Sequence, residues 1–557
     1  MLKPVLPAIA LLLAGADQPA LAVPSDFAAK ADAYIKSAWP ADGPGASVIV
    51  TESGKTVYAK GQGLADLEAK TPITPATSFR IGSITKQFSA AVLLQLVQEG
   101  KVSLDDLVSK YVPSLKQAGG SATIRQILNH TSGVQSYTGI PGWMVEENTN
   151  RAHTTDQMIA LFKDLPSPSK PGEAWAYNNS GYVLVGAVIE AVTGKLWHQA
   201  VEERIAMPLR LRTIRYGVGE AGFADMANGY TRGEDGPELA KKIHMSVPHA
   251  AGALVGSVED LASWGQALHH GKVLGKDLYA AMIAPTPVPG EKEPAPYGFG
   301  LGLEKVRGRP AIGHGGGIFG FSTDSLYIPE KDIFVAVFAN SDDPATAPSV
   351  ATARLAALAL GDPYPEFKEV AVDIASLEPV LGVYKTENGE RRFFARDGQL
   401  YTQRGEGPEM KVYAAGDDRF FYGPNSLTWF GIHRNSGGPH AMEMFHNGSD
   451  EAEVAAWSGP VPPPGAALAV PRATLERYVG DYTIGGGRVA IAWGTGDTIT
   501  IAPPGDMVRP LRPISATRFA VEGVGATVTF HEAAGAVTHL VAVMPNGPEL
   551  KAERVKD

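Results

Sequence analysis

There is no cysteine anywhere in the 557 residues. Without disulfides the chain must be held together by its apolar cores. The thiol that bacterial lipoproteins use for acyl anchoring is missing too, and the absence of thiolates argues against a structural zinc site. Long hydrophobic runs are equally scarce, and nothing reaches the roughly 18 uninterrupted apolar residues that mark a membrane-spanning helix. Nor is positive charge in excess: 49 Lys and Arg stand against 59 Asp and Glu, for a formal net charge of −10. That balance leaves no basic footprint for nucleic acid. Two catalytic signatures are also absent. No Gly-x-Ser-x-Gly elbow occurs, which argues against an α/β-hydrolase, and no His-Glu-x-x-His marks a zinc peptidase. The thirteen histidines are scattered; His269-His270 ends a helical run and reads as a cationic partner for the helix dipole. No feature requires a metal or a cofactor.

What is present describes ordinary globular material, 44% hydrophobic and 19% charged, long enough for two or three domains. Abundant glycine (63) and proline (42) favour turns and short strands. The first 22 residues read as a cleavable secretory signal. Lys3 supplies the positive end, residues 5–14 the apolar core, and Ala20-Leu21-Ala22 the small-x-small cleavage site. A periplasmic or released protein is the expectation.

Chemistry concentrates at Ser83-Ile84-Thr85-Lys86, where a turn runs into a long apolar helix. A serine hydroxyl needs a base close by, and at i,i+3 on a helix two side chains share a face. Lys86 can therefore reach Ser83, and burial makes a lysine easier to deprotonate. The plain alternative for such a serine is a helix N-cap. A second copy, Ser167-Pro168-Ser169-Lys170, lies in a Pro-rich stretch where no helix can align its ends, and reads as loop. Further on come Tyr177-Asn178-Asn179, entering another helical pattern, and His314-Gly315-Gly316-Gly317 before a strand pair. Gly315-x-Gly317-x-x-Gly320 matches the dinucleotide fingerprint by letter, but it leads into a strand rather than a helix.

Ser-x-x-Lys, then Tyr-x-Asn, then His-x-Gly, in that order, resembles the serine β-lactamase and penicillin-binding protein superfamily, in the branch of class C β-lactamases, D-alanyl-D-alanine carboxypeptidases, D-aminopeptidases and related esterases. Phe79-Arg80-Ile81-Gly82, Leu128-Asn129-His130-Thr131-Ser132-Gly133 and Gly320-Phe321 fit the same likeness, which covers about residues 25–362. The resemblance implies that Ser83 is the nucleophile and that Lys86 and Tyr177 manage protons, Tyr177 as base in acylation or toward the deacylating water. Asn179 would hold Lys86 or bind the substrate amide; capping the next helix is its plain alternative. His314 stands where the general signature has lysine, so its charge is expected to vary near neutral pH. Gly316 and Gly317 would let the strand edge approach the substrate, with the N–H groups of Ser83 and Gly317 as oxyanion donors.

Helices are expected over residues 26–37, 83–99, 124–129, 155–165, 182–192 and 350–360. Hairpins are expected from 46–50 with 56–59, and from 325–328 with 333–338. Strands at both ends with helices between suit an α/β (α+β) catalytic domain, its antiparallel sheet flanked by helices, over residues 23–363. Beyond it an internal repeat appears. Leu377-Glu378-x-x-Leu381-Gly382-x-Tyr384 recurs 98 positions later at Leu475 to Tyr482. Arg419-Phe420 and Asn447-Gly448 recur 99 positions later as Arg518-Phe519 and Asn546-Gly547. The repeat predicts two small all-β domains, 370–458 and 472–557, joined by a Pro-rich linker at 459–471; each has the size of a closed β-barrel or a sandwich, and lipocalin-like barrels are the expectation.

A catalytic domain followed by two such domains resembles the build of D-aminopeptidases, in which a loop of the middle domain narrows the active site. The expectation is an exported serine hydrolase acting through an acyl-enzyme on a small-molecule or peptide substrate. A D-configured, peptidoglycan-derived peptide is the leading class. A carboxylesterase is the alternative, and a non-hydrolytic penicillin- or peptidoglycan-binding sensor a further one. A true β-lactamase fits less well, because the added domains have no evident use in it. Oligomeric state is not legible.

Overall fold

The structure is a computed structural model describing residues 23–386, 389–405, 407–423, 425–436, 440–461, 470–484, 487–503, 507–533, 536–544 and 549–555. Residues 1–22, read above as an export signal, and most of the Pro-rich linker lie outside the described residues.

The catalytic domain is organised by one seven-stranded antiparallel sheet. Its strands are β1 (Ala46–Glu52), β2 (Lys55–Gln62), β3 (Gly302–Val306), β4 (Arg309–Gly313), β5 (Gly316–Ile318), β6 (Phe321–Ile328) and β7 (Ile333–Ala339). They run in the order β3-β4-β6-β7-β1-β2, with the short β5 paired to β6 off the main path. Because β1 pairs with β7, Ala46 opposite Ala339, both ends of the domain complete one sheet. All seven residues of β7 are buried, as befits a strand covered on both faces.

One face is covered by α1 (Phe27–Ala38), and a larger helical layer on the other face includes α2 (Thr85–Gln98), α3 (Asn179–Thr193) and α4 (Val258–His269). The final helix, α5 (Pro348–Ala359), returns to lie beside α1. Helix α2 is the centre of the helical layer. Phe88, Val92 and Leu96 are fully buried on it, and so are Leu93 and Leu94, so it is apolar all round. Its few polar side chains are spent on neighbours. Ser89 donates to the Ala250 carbonyl at 2.8 Å, Gln87 accepts from Trp264 Nε1 at 2.9 Å, and Thr85 accepts from the Leu254 amide at 3.1 Å.

The expected elements are present with shifted ends. The helix expected over 83–99 begins as a 3-10 turn, Gly82–Ile84, and becomes α-helical only at Thr85. The one expected over 155–165 is α-helical only over Thr155–Ala160 and continues as tighter turns, the Phe162 and Leu165 amides donating to the Ile159 and Phe162 carbonyls at 3.1 Å each. Helix α3 starts earlier than expected because Asn178 caps it, accepting from the Gly181 amide at 2.9 Å. His269 is not a charged dipole partner. Its ring is buried, stacked on Tyr327 at 4.1 Å, and desolvation pushes its pKa down to about 3.

Two closed eight-stranded barrels follow, one from Gly382–Thr386 to Glu453–Gly459 and the other from Gly480–Ile484 to Glu549–Arg554. The repeat now has a physical meaning. In each barrel the repeated tyrosine is fully buried and donates its hydroxyl four residues back, Tyr384 to the Val380 carbonyl at 2.6 Å and Tyr482 to the Tyr478 carbonyl at 2.8 Å. Phe420 and Phe519 occupy matching places in the two cores. The second copy of the Asn-Gly pair, at 546–547, lies outside the described residues.

The first barrel sits on the α1/α5 side. Arg307 pairs with Asp450, Thr346 donates to Asn425 at 2.8 Å, and Phe367 stacks on Phe421 at 5.6 Å. Among the described residues, no helix is long and apolar enough to cross a membrane.

Candidate active site

The short Phe79–Arg80 strand delivers the nucleophile turn against the sheet edge. Arg80 Nε donates to Glu220 at 2.8 Å and its guanidinium reaches the Phe319 carbonyl at 3.1 Å, bracing the turn between β5 and β6. The Ile81 carbonyl accepts from Thr323 at 3.1 Å. Gly82 follows with φ +50, and a Cβ there would lie 2.9 Å from the Gly317 amide nitrogen. Gly316 is tighter still, since a Cβ on it would meet the Ile81 carbonyl oxygen at 2.1 Å. Glycine at these two positions lets β5 lie against the turn carrying Ser83, while the Cβ direction of Gly317 faces open space.

One turn along, Lys86 is fully buried. Its Nζ makes three contacts: Ser83 Oγ at 3.0 Å, Asn179 Oδ1 at 2.9 Å and the Ala251 carbonyl at 2.9 Å. The amide of Asn179 is oriented by its other end, where Nδ2 donates to Thr138 Oγ1 at 3.4 Å. Both Asn179 Oδ1 and the Ala251 carbonyl can only accept. An ammonium could give its three hydrogens to Ser83 Oγ, Asn179 Oδ1 and the Ala251 carbonyl, and a neutral amine could give two to the last pair and turn its lone pair to the Ser83 hydroxyl. Burial holds the Lys86 pKa well below its usual value, because an ammonium taken out of water without an anionic partner is costly. Desolvation therefore favours an uncharged Lys86, with Ser83 Oγ within its reach.

Tyr177 lies across from them, its ring centroid 4.8 Å from Lys86 Nζ. It is 39% exposed, which puts it at the mouth of the site. Protein crowds its remaining sides, and that desolvation raises the phenol above its usual range, opposed by a hydrogen bond with Ser83. The segment carrying it is positioned by Leu128-Asn129-His130-Thr131-Ser132-Gly133. His130 adopts φ +65, its carbonyl accepts from the Ala176 amide at 3.0 Å, and its Nδ1 accepts from the Asn178 amide at 3.1 Å. The His130 ring also packs 4.5 Å from that of Tyr177.

His314, at the end of β4, completes the group. Its Nδ1 donates to the Gly315 carbonyl at 2.6 Å, leaving Nε2 to accept from the Tyr297 hydroxyl at 2.8 Å. Desolvation by burial pushes its pKa down to about 3. The titration near neutrality expected of His314 is therefore not what its setting permits, and the ring stays neutral across that range. Every residue singled out from the sequence converges here: Ser83, Lys86, Tyr177, Asn179, His314, Gly316 and Gly317. Sequence reasoning missed Tyr297, His130 as a positioning group, and the Ala251 carbonyl. A lone Tyr in a Gly/Pro-rich loop and a backbone oxygen carry no sequence signal.

Comparison with known proteins agrees with the fold. A family model described as Beta-lactamase matches residues 31–359. A D-aminopeptidase of Gluconobacter oxydans (strain 621H) is 27% identical over 348 residues, 61% of this chain and 63% of that protein. The chain thus spans about three fifths of the length of the curated relatives it matches. Among solved structures, the octameric penicillin-binding protein homologue from Pyrococcus abyssi is similar over 86% of this chain and 99% of its own, with TM-score 0.55 and 25% identity. A D-amino acid amidase from Ochrobactrum anthropi SV3, complexed with D-phenylalanine, is similar over 58% of this chain and 91% of its own, with TM-score 0.50 and 26% identity.

Proposed function

The chain belongs to the Beta-lactamase family, and from that premise we propose that it is an exported serine hydrolase cleaving amide bonds beside D-configured residues through an acyl-enzyme. The observation that carries the reading is the fully buried Lys86 with its Nζ 3.0 Å from Ser83 Oγ and no anionic group among its three hydrogen-bond partners. Lys86 takes the Ser83 proton as Oγ attacks the substrate carbonyl carbon. The developing oxyanion is received by the N–H groups of Ser83 and Gly317, a contribution of about 3–4 kcal/mol per donor in comparable sites. Collapse of the tetrahedral adduct expels the amine. Tyr177, kept as a phenol by its surroundings, is suited to pass that amine a proton. This changes its role from the base that the resemblance implies to a donor that Lys86 recharges. Water then attacks the acyl ester, and the same groups return the proton to Ser83. His314 contributes neutral polarity through its link to Tyr297, without carrying charge.

The D-preference is supported by the names of the relatives, a D-aminopeptidase and a D-amino acid amidase. Export is supported by the signal-like pattern of the first 22 residues. The deciding experiment compares kcat/KM on D-alanine p-nitroanilide, its L-isomer and p-nitrophenyl butyrate, with Ser83→Ala as blank. Cleavage of the D-anilide alone, lost in Ser83→Ala, is the expected result. Cleavage of the ester alone would move the protein to the esterases, and stable acylation without release would make it a sensor. Wild-type turnover by Ser83→Ala would remove the assignment altogether.

A further inference from the structure

A cavity of about 710 Å³ opens between the first barrel and the catalytic domain, lined by α1, α5, and segments around residues 363–368 and 421–426. It shares no residue with the Ser83 cluster. Two polar atoms of its lining residues are buried without a hydrogen-bond partner, Arg354 Nε and Tyr34 Oη. Elsewhere the Arg354 guanidinium reaches only a carbonyl, donating to Ser426 at a long 3.3 Å. Among the described residues it makes no ion pair, although Glu366 lines the same cavity. A guanidinium nitrogen and a phenol oxygen buried without a partner are costly, which makes them informative at a cleft between two folded units, even though both side chains are half-buried as a whole.

We propose that this cavity binds a small carboxylate carrying a flat apolar group. The carboxylate would take the fork of Arg354 with the Tyr34 hydroxyl beside it, the geometry guanidinium groups favour. Lys30 and Lys368 add positive potential, Lys30 already being paired with Asp26 at 2.7 Å. The apolar end has a ready platform. Phe367 and Phe421 stack with centroids 5.6 Å apart and planes 25° from parallel, Phe367 packing further on Trp429 at 5.2 Å and Phe421 on Tyr413 at 5.6 Å, so the cavity has an aromatic wall against whose edges a flat apolar group can lie. A single cation with a single hydroxyl suits one negative charge, and Glu366 disfavours a dianion. The proposal does not depend on what Ser83 hydrolyses.

The test uses the full chain as Ser83→Ala, with 2-naphthylacetate as probe and neutral 2-naphthylacetamide as control, followed by ligand-observed NMR titration. Saturable binding of the acid is expected with Kd on the order of 1 mM. The amide should bind about tenfold more weakly or worse. Arg354→Gln should lose a comparable factor. Ala33→Trp, on the exposed side of α1, fills the cavity while keeping Arg354; it should abolish binding with an unchanged melting temperature. Absence of saturable binding, equal binding of the amide, or binding that survives both substitutions would each overturn the proposal.

Discussion

The residues around Ser83 form a site with very little formal charge, and that sets its pH behaviour. Lys86 works only as the free amine, so kcat/KM should rise with pH through a single limb set by Lys86, which lies well below the usual lysine value. Lys86→Met fills much the same buried channel but has no amine to take a proton. We expect it to lose turnover across the whole range while the protein stays folded, measured as kcat against circular dichroism. His314→Gln separates polarity from titration. Because the wild-type ring is already neutral above pH about 3, the shape of the profile between pH 5 and 8 should not move, even if its height falls. A shift of the limb would give His314 a charge-carrying role. Stability has its own pH dependence. His269 has a folded pKa of about 3 against 6.5 unfolded. The unfolded chain therefore binds the extra proton, and stability present above pH 6.5 is lost as pH falls toward 3. His269→Phe should flatten that loss by at most about 1.4 kcal/mol per pH unit, read from denaturant unfolding at several pH values.

Among the elements, the contact of β5 with the 3-10 turn is the tightest requirement. Gly82→Ala forces a side chain into a left-handed backbone and against the Gly317 amide. A stability cost of about 1–3 kcal/mol is expected, together with a fall in kcat larger than any change in KM, because the moved amide faces the transition state. Unchanged kinetics would take Gly317 out of the oxyanion site. This level also shows how far the sequence could be read. The Ser-x-x-Lys spacing predicts the Lys86–Ser83 contact because one helical turn fixes it. Apolar runs locate the β1–β2 and β6–β7 hairpins, since register and periodicity are local, whereas the more polar β3–β4 hairpin at Gly302–Val306 and Arg309–Gly313 escapes that reading. Helix ends were less legible. The start of α3 depends on Asn178 capping, which a neighbouring Asn179 obscures, and the opening turn of α2 is bent by Gly82 meeting a strand more than two hundred residues away. The charge state of His314 was beyond reach, since desolvation is a property of the assembled site.

For the whole molecule, the position of the first barrel matters most. Its bonds run to the α1/α5 face through Arg307–Asp450, Thr346–Asn425 and Phe367–Phe421, away from the mouth marked by Tyr177. The resemblance implied that a loop of this domain narrows the active site. The docking seen here favours a remote role instead. Asp450→Asn together with Phe367→Ala should loosen the barrel, raising hydrogen exchange along α1 and α5, and leave kcat/KM for the D-anilide unchanged. A changed preference between D- and L-isomers would restore the gating role. The pairing of β1 with β7 carries one more consequence, for synthesis. Gly45 and Asn340, at the edge of that pairing, are 295 positions apart. At roughly 5–20 residues per second, translation needs about 15–60 s to supply the partner strand. Throughout that interval the β1–β2 hairpin carries an unpaired β1 edge, the kind of edge that templates pairing between chains, so the order of synthesis makes this ribbon the segment most exposed to mispairing.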